Sequence, residues 1–164
     1  MLFRSNINYL PTISKVHTYS LAAYYPYATQ PNGESGIQAE LMYKFKKGTK
    51  IGGKYGMQVA LNYSAISGLK TTPLYDGMGY ESDFFGIGDV PYFSDFNIDI
   101  TKKFSKKVKA ILYYMNLDYN KDVIQGLAGY GTVYADIGVI HLTYKIRSKR
   151  TVRMECQSLT TRQY

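Results

Sequence analysis

Residues 36–46, GIQAELMYKFK, put Ile37, Ala39, Leu41, Tyr43 and Phe45 on one side of an extended chain, and Gln38, Glu40, Met42, Lys44 and Lys46 on the other. A period of two held over this length predicts a strand with unlike faces, because a helix would scatter both sets around its axis. Residues 55–66 repeat the pattern, with Tyr55, Met57, Val59, Leu61, Tyr63 and Ala65 opposing Gly56, Gln58, Ala60, Asn62 and Ser64. Between the two runs lies KKGTKIGG, where Gly48, Gly52 and Gly53 can take positive φ. The pair predicts a hairpin.

The same alternation marks 18–27, 96–101, 108–119, 132–146 and 151–159. In 108–119, Ile111, Tyr113, Met115, Leu117 and Tyr119 share a face. In 132–146, Val133, Ala135, Ile137 and Val139 compete with Ile140, Leu142 and Tyr144 for the apolar side, which predicts a face-swapping bulge. The expectation is an all-β, antiparallel up-and-down meander of about seven strands, with no helix. No run of about 18 apolar residues exists, so a helical membrane span is excluded.

Short connections, near 47–53, 104–107 and 147–150, alternate with longer ones near 28–35, 67–92 and 120–131. That asymmetry is typical of transmembrane β-barrels, with tight periplasmic turns and long external loops. Ten residues at about 3.3 Å each, tilted by about 40°, cross roughly 25 Å, the height of a lipid-facing band. A soluble β-sandwich is the alternative, since it also alternates apolar and polar residues. An odd strand count leaves an unpaired end, so residues 1–164 read as a single β domain that is an incomplete segment of a larger barrel. Met1 to Pro11 carries no continuous apolar stretch, and a signal peptide for the outer membrane is expected upstream.

The chain has 20 Lys plus Arg against 12 Asp plus Glu, a formal charge of +8, and its placement matters more than its size. Lys44, Lys46, Lys47, Lys50 and Lys54 surround the first short turn, and Lys102, Lys103, Lys106, Lys107 and Lys109 the second. Lys145, Arg147, Lys149, Arg150 and Arg153 surround the third. The connection from Ser67 to Asp95 is acidic instead. Nucleic acid is not expected, since its binding favours a basic groove interleaved with aromatics. Two readings remain: solvated hairpin tips, and a basic rim on lipid phosphates.

Nine of the 18 tyrosines, with Phe45 and Phe104, fall into two groups. Tyr43, Phe45, Tyr55, Phe104 and Tyr144 lie beside the short turns, and Tyr25, Tyr27, Tyr63, Tyr114, Tyr119 and Tyr134 toward the far ends. Two such belts would form an aromatic girdle, although Tyr suits any strand.

No constellation supports an enzyme. His17 and His141 read as ordinary strand residues, and nothing in the sequence brings a histidine to Ser94 and Asp95. One Cys and two His leave no transition-metal set, and the carboxylates of 76–89 lack the spacing of a calcium loop. No cofactor is expected. If the apolar side meets lipid, then Gln38, Glu40, Lys44, Gln58, Asn62, Ser64, Asn97, Asp99, Asn116, Asp118, Glu155 and Gln157 face a lumen. They could line a wet channel or form a plugged, hydrogen-bonded interior. In the long connection, Tyr75, Asp76, Tyr80, Glu81, Asp83, Phe84, Phe85 and Asp89 mix aromatics with carboxylates, a composition suited to recognising a glycan or an envelope protein.

Four segments, LPTISKVHTYSLAAYYPYATQPNGESGIQAE, YKFKKGTKIGGKYGMQVALNYS, YFSDFNIDITKKFSKKVKAILYYMNLDYNKDVIQG and RTVRMECQSLTTRQ, resemble an uncharacterised Bacteroidetes family, a domain of unknown function regarded as outer-membrane-associated and β-rich. The resemblance runs from Leu10 to Gln163, apart from the variable stretch Gly68 to Val90. In that family an Asp and further strands normally follow the segment matching ECQSLTTRQ. The resemblance implies location and fold and supplies no catalytic residues. The resulting expectation is part of an outer-membrane β-barrel, in contact with outer-membrane lipid, serving solute passage or surface display. The alternatives are a non-conducting structural or binding barrel of an envelope or secretion assembly, and a soluble β-sandwich adhesin.

Overall fold

The computed structural model describes residues 12–31, 33–75, 79–147 and 150–164, with the backbone alone at 83–85. Six strands form among them: β1 (Glu34–Phe45), β2 (Met57–Pro73), β3 (Tyr80–Lys103), β4 (Val108–Asn120), β5 (Thr132–Arg147) and β6 (Arg150–Gln163). They make one antiparallel sheet in sequence order, the meander expected, with β1 and β6 as its two edges. The sheet is open among the described residues.

Four details depart from expectation. The run 18–27 is outside the sheet. It holds a 3-10 turn at Ala22–Tyr24, and its backbone bonds locally, Ala23 N–H donating to Tyr19 O at 2.8 Å. The stretch 67–92 is mostly hairpin, because β2 and β3 continue past the neighbouring strands to Pro73 and Tyr80 with three register shifts. A short helix, α1 (Lys121–Ile124), follows β4, with the Asn120 side chain accepting from Val123 N–H at 3.2 Å.

The fourth concerns β5. Its ladder with β4 runs unbroken from Val108↔Tyr144 to Asn120↔Thr132, and its only shift toward β6 lies beyond Lys145. No bulge swaps the faces. Val133, Ala135, Ile137 and Val139 are buried on one face, while Ile140, Leu142 and Tyr144 stand exposed on the other. What changes along β5 is the cover over each face.

The first turn is built as its glycines suggest. Gly48 and Gly53 adopt φ of 82° and 61° and close on one another, Gly48 N–H donating to Gly53 O at 2.7 Å. Gly52 serves differently, since a Cβ there would lie 2.2 Å from Lys46 O. That approach leaves room for no side chain.

Register defines the two faces. Face A carries Gln38, Ser64, Asp95 and Leu117 in one row, and Glu40, Asn62, Asn97, Met115 and Ile137 in the next. Face B carries Leu41, Leu61, Ile98, Tyr114 and Gly138 in one row. The core lies on the half of face A nearest α1, where Phe93, Met115, Leu117, Tyr119, Val133, Ala135 and Ile137 pack with Ala22 and Tyr27 of the N-terminal segment. Burial of each large apolar side chain there stabilises the sheet by roughly 1.5–3 kcal/mol.

Candidate functional site

Residues 12–31 act as a strap across face A. They alternate, as strands do, but the alternation serves a covering layer: Lys15, His17, Tyr19 and Leu21 turn to the sheet, and Val16, Thr18 and Ser20 to solvent. The strap reaches from one edge to the other. Lys15 Nζ meets Glu40 Oε1 of β1 at 2.8 Å, and Leu21 N–H donates to Gln157 Oε1 of β6 at 3.0 Å.

Between these ends, His17 is held by two strands. Its Nε2 lies 3.1 Å from Asp95 Oδ2 on β3, and its Nδ1 lies 2.9 Å from the Tyr113 hydroxyl on β4. Asn97 Nδ2 donates to the same Asp95 Oδ2 at 2.9 Å, and Asp95 Oδ1 is buried without a partner. Asn62, Ser64, Asp95 and Asn97 are all buried. Gln38 Nε2 donates to Asn62 Oδ1 at 3.0 Å, and Asn62 Nδ2 to Ser64 Oγ at 3.4 Å, so the polar patch is largely satisfied internally.

Aromatic contacts close the remaining gaps. The Tyr19 ring lies 4.9 Å from that of Tyr113, Tyr25 lies 5.6 Å from Tyr119, and Tyr27 lies 5.2 Å from Phe93. The Tyr27 hydroxyl donates to Glu34 at the start of β1. Burial, followed by that hydrogen bond, raises the Tyr27 hydroxyl well above the ordinary tyrosine range.

Ten of the twelve residues assigned to a lumen share face A: Gln38, Glu40, Lys44, Gln58, Asn62, Ser64, Asn97, Asp99, Glu155 and Gln157. Asn116 and Asp118 do not. They lie on face B, where Asn116 Nδ2 donates to Asp136 Oδ1 at 2.9 Å and Ser94 Oγ donates to Asp118 Oδ2 at 3.1 Å. The reason is the strap: Tyr113, Met115, Leu117 and Tyr119 turn toward it and send the polar partners of β4 outward.

The far tyrosine belt divides for the same reason. Tyr25, Tyr27 and Tyr119 belong to the strap contact, which leaves Tyr63 and Tyr114 on face B, with Phe96 paired to Tyr63. Tyr134 is also on that face, above the polar group formed by Asn116 and Asp136.

Of the proposed recognition residues, Tyr75, Tyr80, Glu81 and Asp89 are exposed, and the last three lie on the extended β3. Asp76 and the side chains of Asp83, Phe84 and Phe85 lie outside the described residues. His141 Nε2 is 3.4 Å from Thr143 Oγ1, on the turn-proximal half of face A. Among the described residues no cluster of His, Cys, Asp and Glu could hold a metal, and no helix is long and apolar enough to cross a membrane.

The basic residues also divide by parity. Lys44, Lys103, Lys109, Lys145 and Arg153 are on face A, whereas Lys102 is on face B, its Nζ 5.8 Å from the Phe104 ring centroid. Sequence reasoning missed His17, Lys15 and Tyr113 as one unit. Their signal was the shared parity of Lys15, His17, Tyr19 and Leu21, which fits a cover as well as a strand.

No curated protein and no solved structure matches this chain. A family model does match, spanning residues 2–164 and described as a family of unknown function. The strap, the sheet and both edges fall within that span, and the chain belongs to this family of unknown function, DUF6029.

Proposed function

We propose that this sheet is a wall of an outer-membrane β-barrel, with face B toward lipid and face A toward an interior occupied by the strap. The observation that carries the reading is the state of face B. Leu41, Ile140 and Met154 are 64%, 50% and 65% exposed, beside exposed Ile37, Tyr43, Tyr63, Phe96, Leu112, Leu142 and Val152. Monomeric soluble proteins rarely leave so continuous an apolar patch in water.

Its dimensions suit a bilayer. From Phe45 to Ile37 on β1 the apolar set covers eight residue steps, about 26 Å along the strand and about 20 Å across the bilayer at a tilt of about 40°, most of the apolar band of about 25 Å in outer-membrane barrels. Tyr43, Phe45 and Tyr144 border it at the turn end, and Tyr63 and Phe96 stand toward the other, beside the polar group of Asn116 and Asp136. The two open edges would be paired by further strands, which keeps backbone donors out of lipid. The family resemblance noted above points to the same location.

The strap favours a non-conducting structural or binding barrel over a solute channel. It crosses face A from β1 to β6 and lies over buried Asn62, Ser64, Asp95 and Asn97. Display of the β2–β3 hairpin is compatible with either role. A soluble sandwich would need a second sheet over face B, and the described residues form one sheet.

The deciding experiment places an arginine on face B. Ile140→Arg, measured by refolding into bilayers, should cost about 2–4 kcal/mol, and heat-modifiable gel migration should accompany wild-type insertion. A protein that stays monodisperse without detergent and tolerates Ile140→Arg would refute the membrane reading. Wild-type protein should be silent in planar bilayers, and a steady open conductance would refute the occupied interior.

A further inference from the structure

The turn-proximal half of face A holds a concavity of about 360 Å³ bordered by Lys47, Lys103, Lys106, Lys107, Lys109 and Lys145. Among the described residues no carboxylate lines it. We propose that it is a binding site for a soluble, multiply charged phosphate-bearing anion, entered from the short-turn side of the sheet.

Three observations carry the assignment. The lysines are brought together by the ladder itself. Lys103 pairs directly with Lys109, Lys145 stands on the same face of β5, and Lys145 N–H donates to Lys107 O at 2.8 Å, which docks the second turn against β5. Like charges directly opposite one another destabilise a sheet, so the arrangement costs stability until an anion offsets it. Thr143 and Thr151 add hydroxyl donors on the same side, and the volume lies in the range of small-molecule sites. Lys47 and Lys103 also border a neighbouring concavity with Lys44 and Lys46, which extends the positive field without adding a carboxylate.

Strand parity decides between the two sources of phosphate. A lipid headgroup would be met from face B, but Lys103, Lys109 and Lys145 alternate onto face A with Gln58 and Thr101. The ligand is therefore a solute, bound by charge-assisted hydrogen bonds from ammonium groups to phosphate oxygens. The choice of a solute over a headgroup rests on the reading of face B as the lipid side, whereas the gathering of the lysines on face A does not.

The test is calorimetric titration of tripolyphosphate into the full chain in detergent, with phosphatidylglycerol vesicles as the second arm. Wild-type protein should bind tripolyphosphate saturably, and added salt should weaken the binding. The triple variant Lys103→Gln/Lys109→Gln/Lys145→Gln should weaken it at least about tenfold, while Lys50→Gln/Lys54→Gln/Lys102→Gln, which removes the same charge from the same end, should weaken it less than about twofold. If the first triple fails to fold, Lys109→Gln alone should still weaken binding by about threefold. Equal losses in the two triples would reduce the site to general charge and overturn the proposal. So would the absence of saturable binding by wild-type protein, or binding to vesicles alone.

Discussion

Leu117 on face A is completely shielded from water, whereas Leu41 on face B of the same sheet keeps most of its surface open. Both alternate in regular strands, and both are followed two residues on by an aromatic side chain, Tyr119 and Tyr43. The difference is the strap. Tyr19, Leu21, Ala22 and Tyr25 close over one face, and nothing within the described residues closes over the other. Burial here belongs to the covering layer rather than to the strand, and a face left bare this widely is one whose partner is a solvent of a different kind.

The contrast breaks most readily at its centre. Leu117→Ala should destabilise the fold by about 2–5 kcal/mol in detergent-solubilised protein, because the strap and β3 cannot collapse into the gap. Leu41→Ala should cost less than about 1.5 kcal/mol in the same denaturation series, since detergent or lipid fills the space and leaves no cavity. Equal costs would mean that face B is also packed against protein.

The next effect concerns the polar anchor. His17→Ala removes the ring between Asp95 and Tyr113 and leaves a buried carboxylate with Asn97 alone, a loss of about 1–3 kcal/mol. Limited proteolysis should then cut within residues 12–27 faster than in wild-type protein, with the sheet intact. Unchanged cleavage would show that the aromatic contacts hold the strap by themselves.

The smallest effect depends on pH. The Tyr27 hydroxyl ionises well above the ordinary value of 10, so its contribution is fully present below that pH and is lost as pH rises from there toward the folded-state value. Thermal melts of wild-type protein should fall with rising pH above 10 more steeply than those of Tyr27→Phe, which keeps the ring over Phe93 but has no proton to lose. Parallel slopes would remove Tyr27 from the account.

Much of the sheet was legible because a period of two is a local property. The alternation of 36–46 and 55–66 marks both strands, and the pairing Leu41↔Leu61 follows once the intervening turn closes. The polar set of β1, β2 and β3 was legible for the same reason, as Gln38, Asn62 and Asn97 contrast with their apolar neighbours. β4 was not. Apolar Ile111 to Tyr119 looked lipid-facing, and only the strap, brought from about a hundred residues away in sequence, makes that parity the inner one. His17 was opaque because its partner Asp95 lies 78 residues along the chain, a separation that no local pattern encodes.

The sequence by itself determined that most of this chain forms strands, where the short turns fall, and which side chains share a side of each. The charges at the short turns and the acidic character of the long hairpin belong to that level as well, since both are linear features. Tertiary structure alone decided which side is inside. An alternating strand offers two faces, and the choice between them depends on what is brought over each. Here the N-terminal segment selects one face by placing Lys15, His17, Tyr19 and Leu21 on it and leaves the apolar band of the other uncovered.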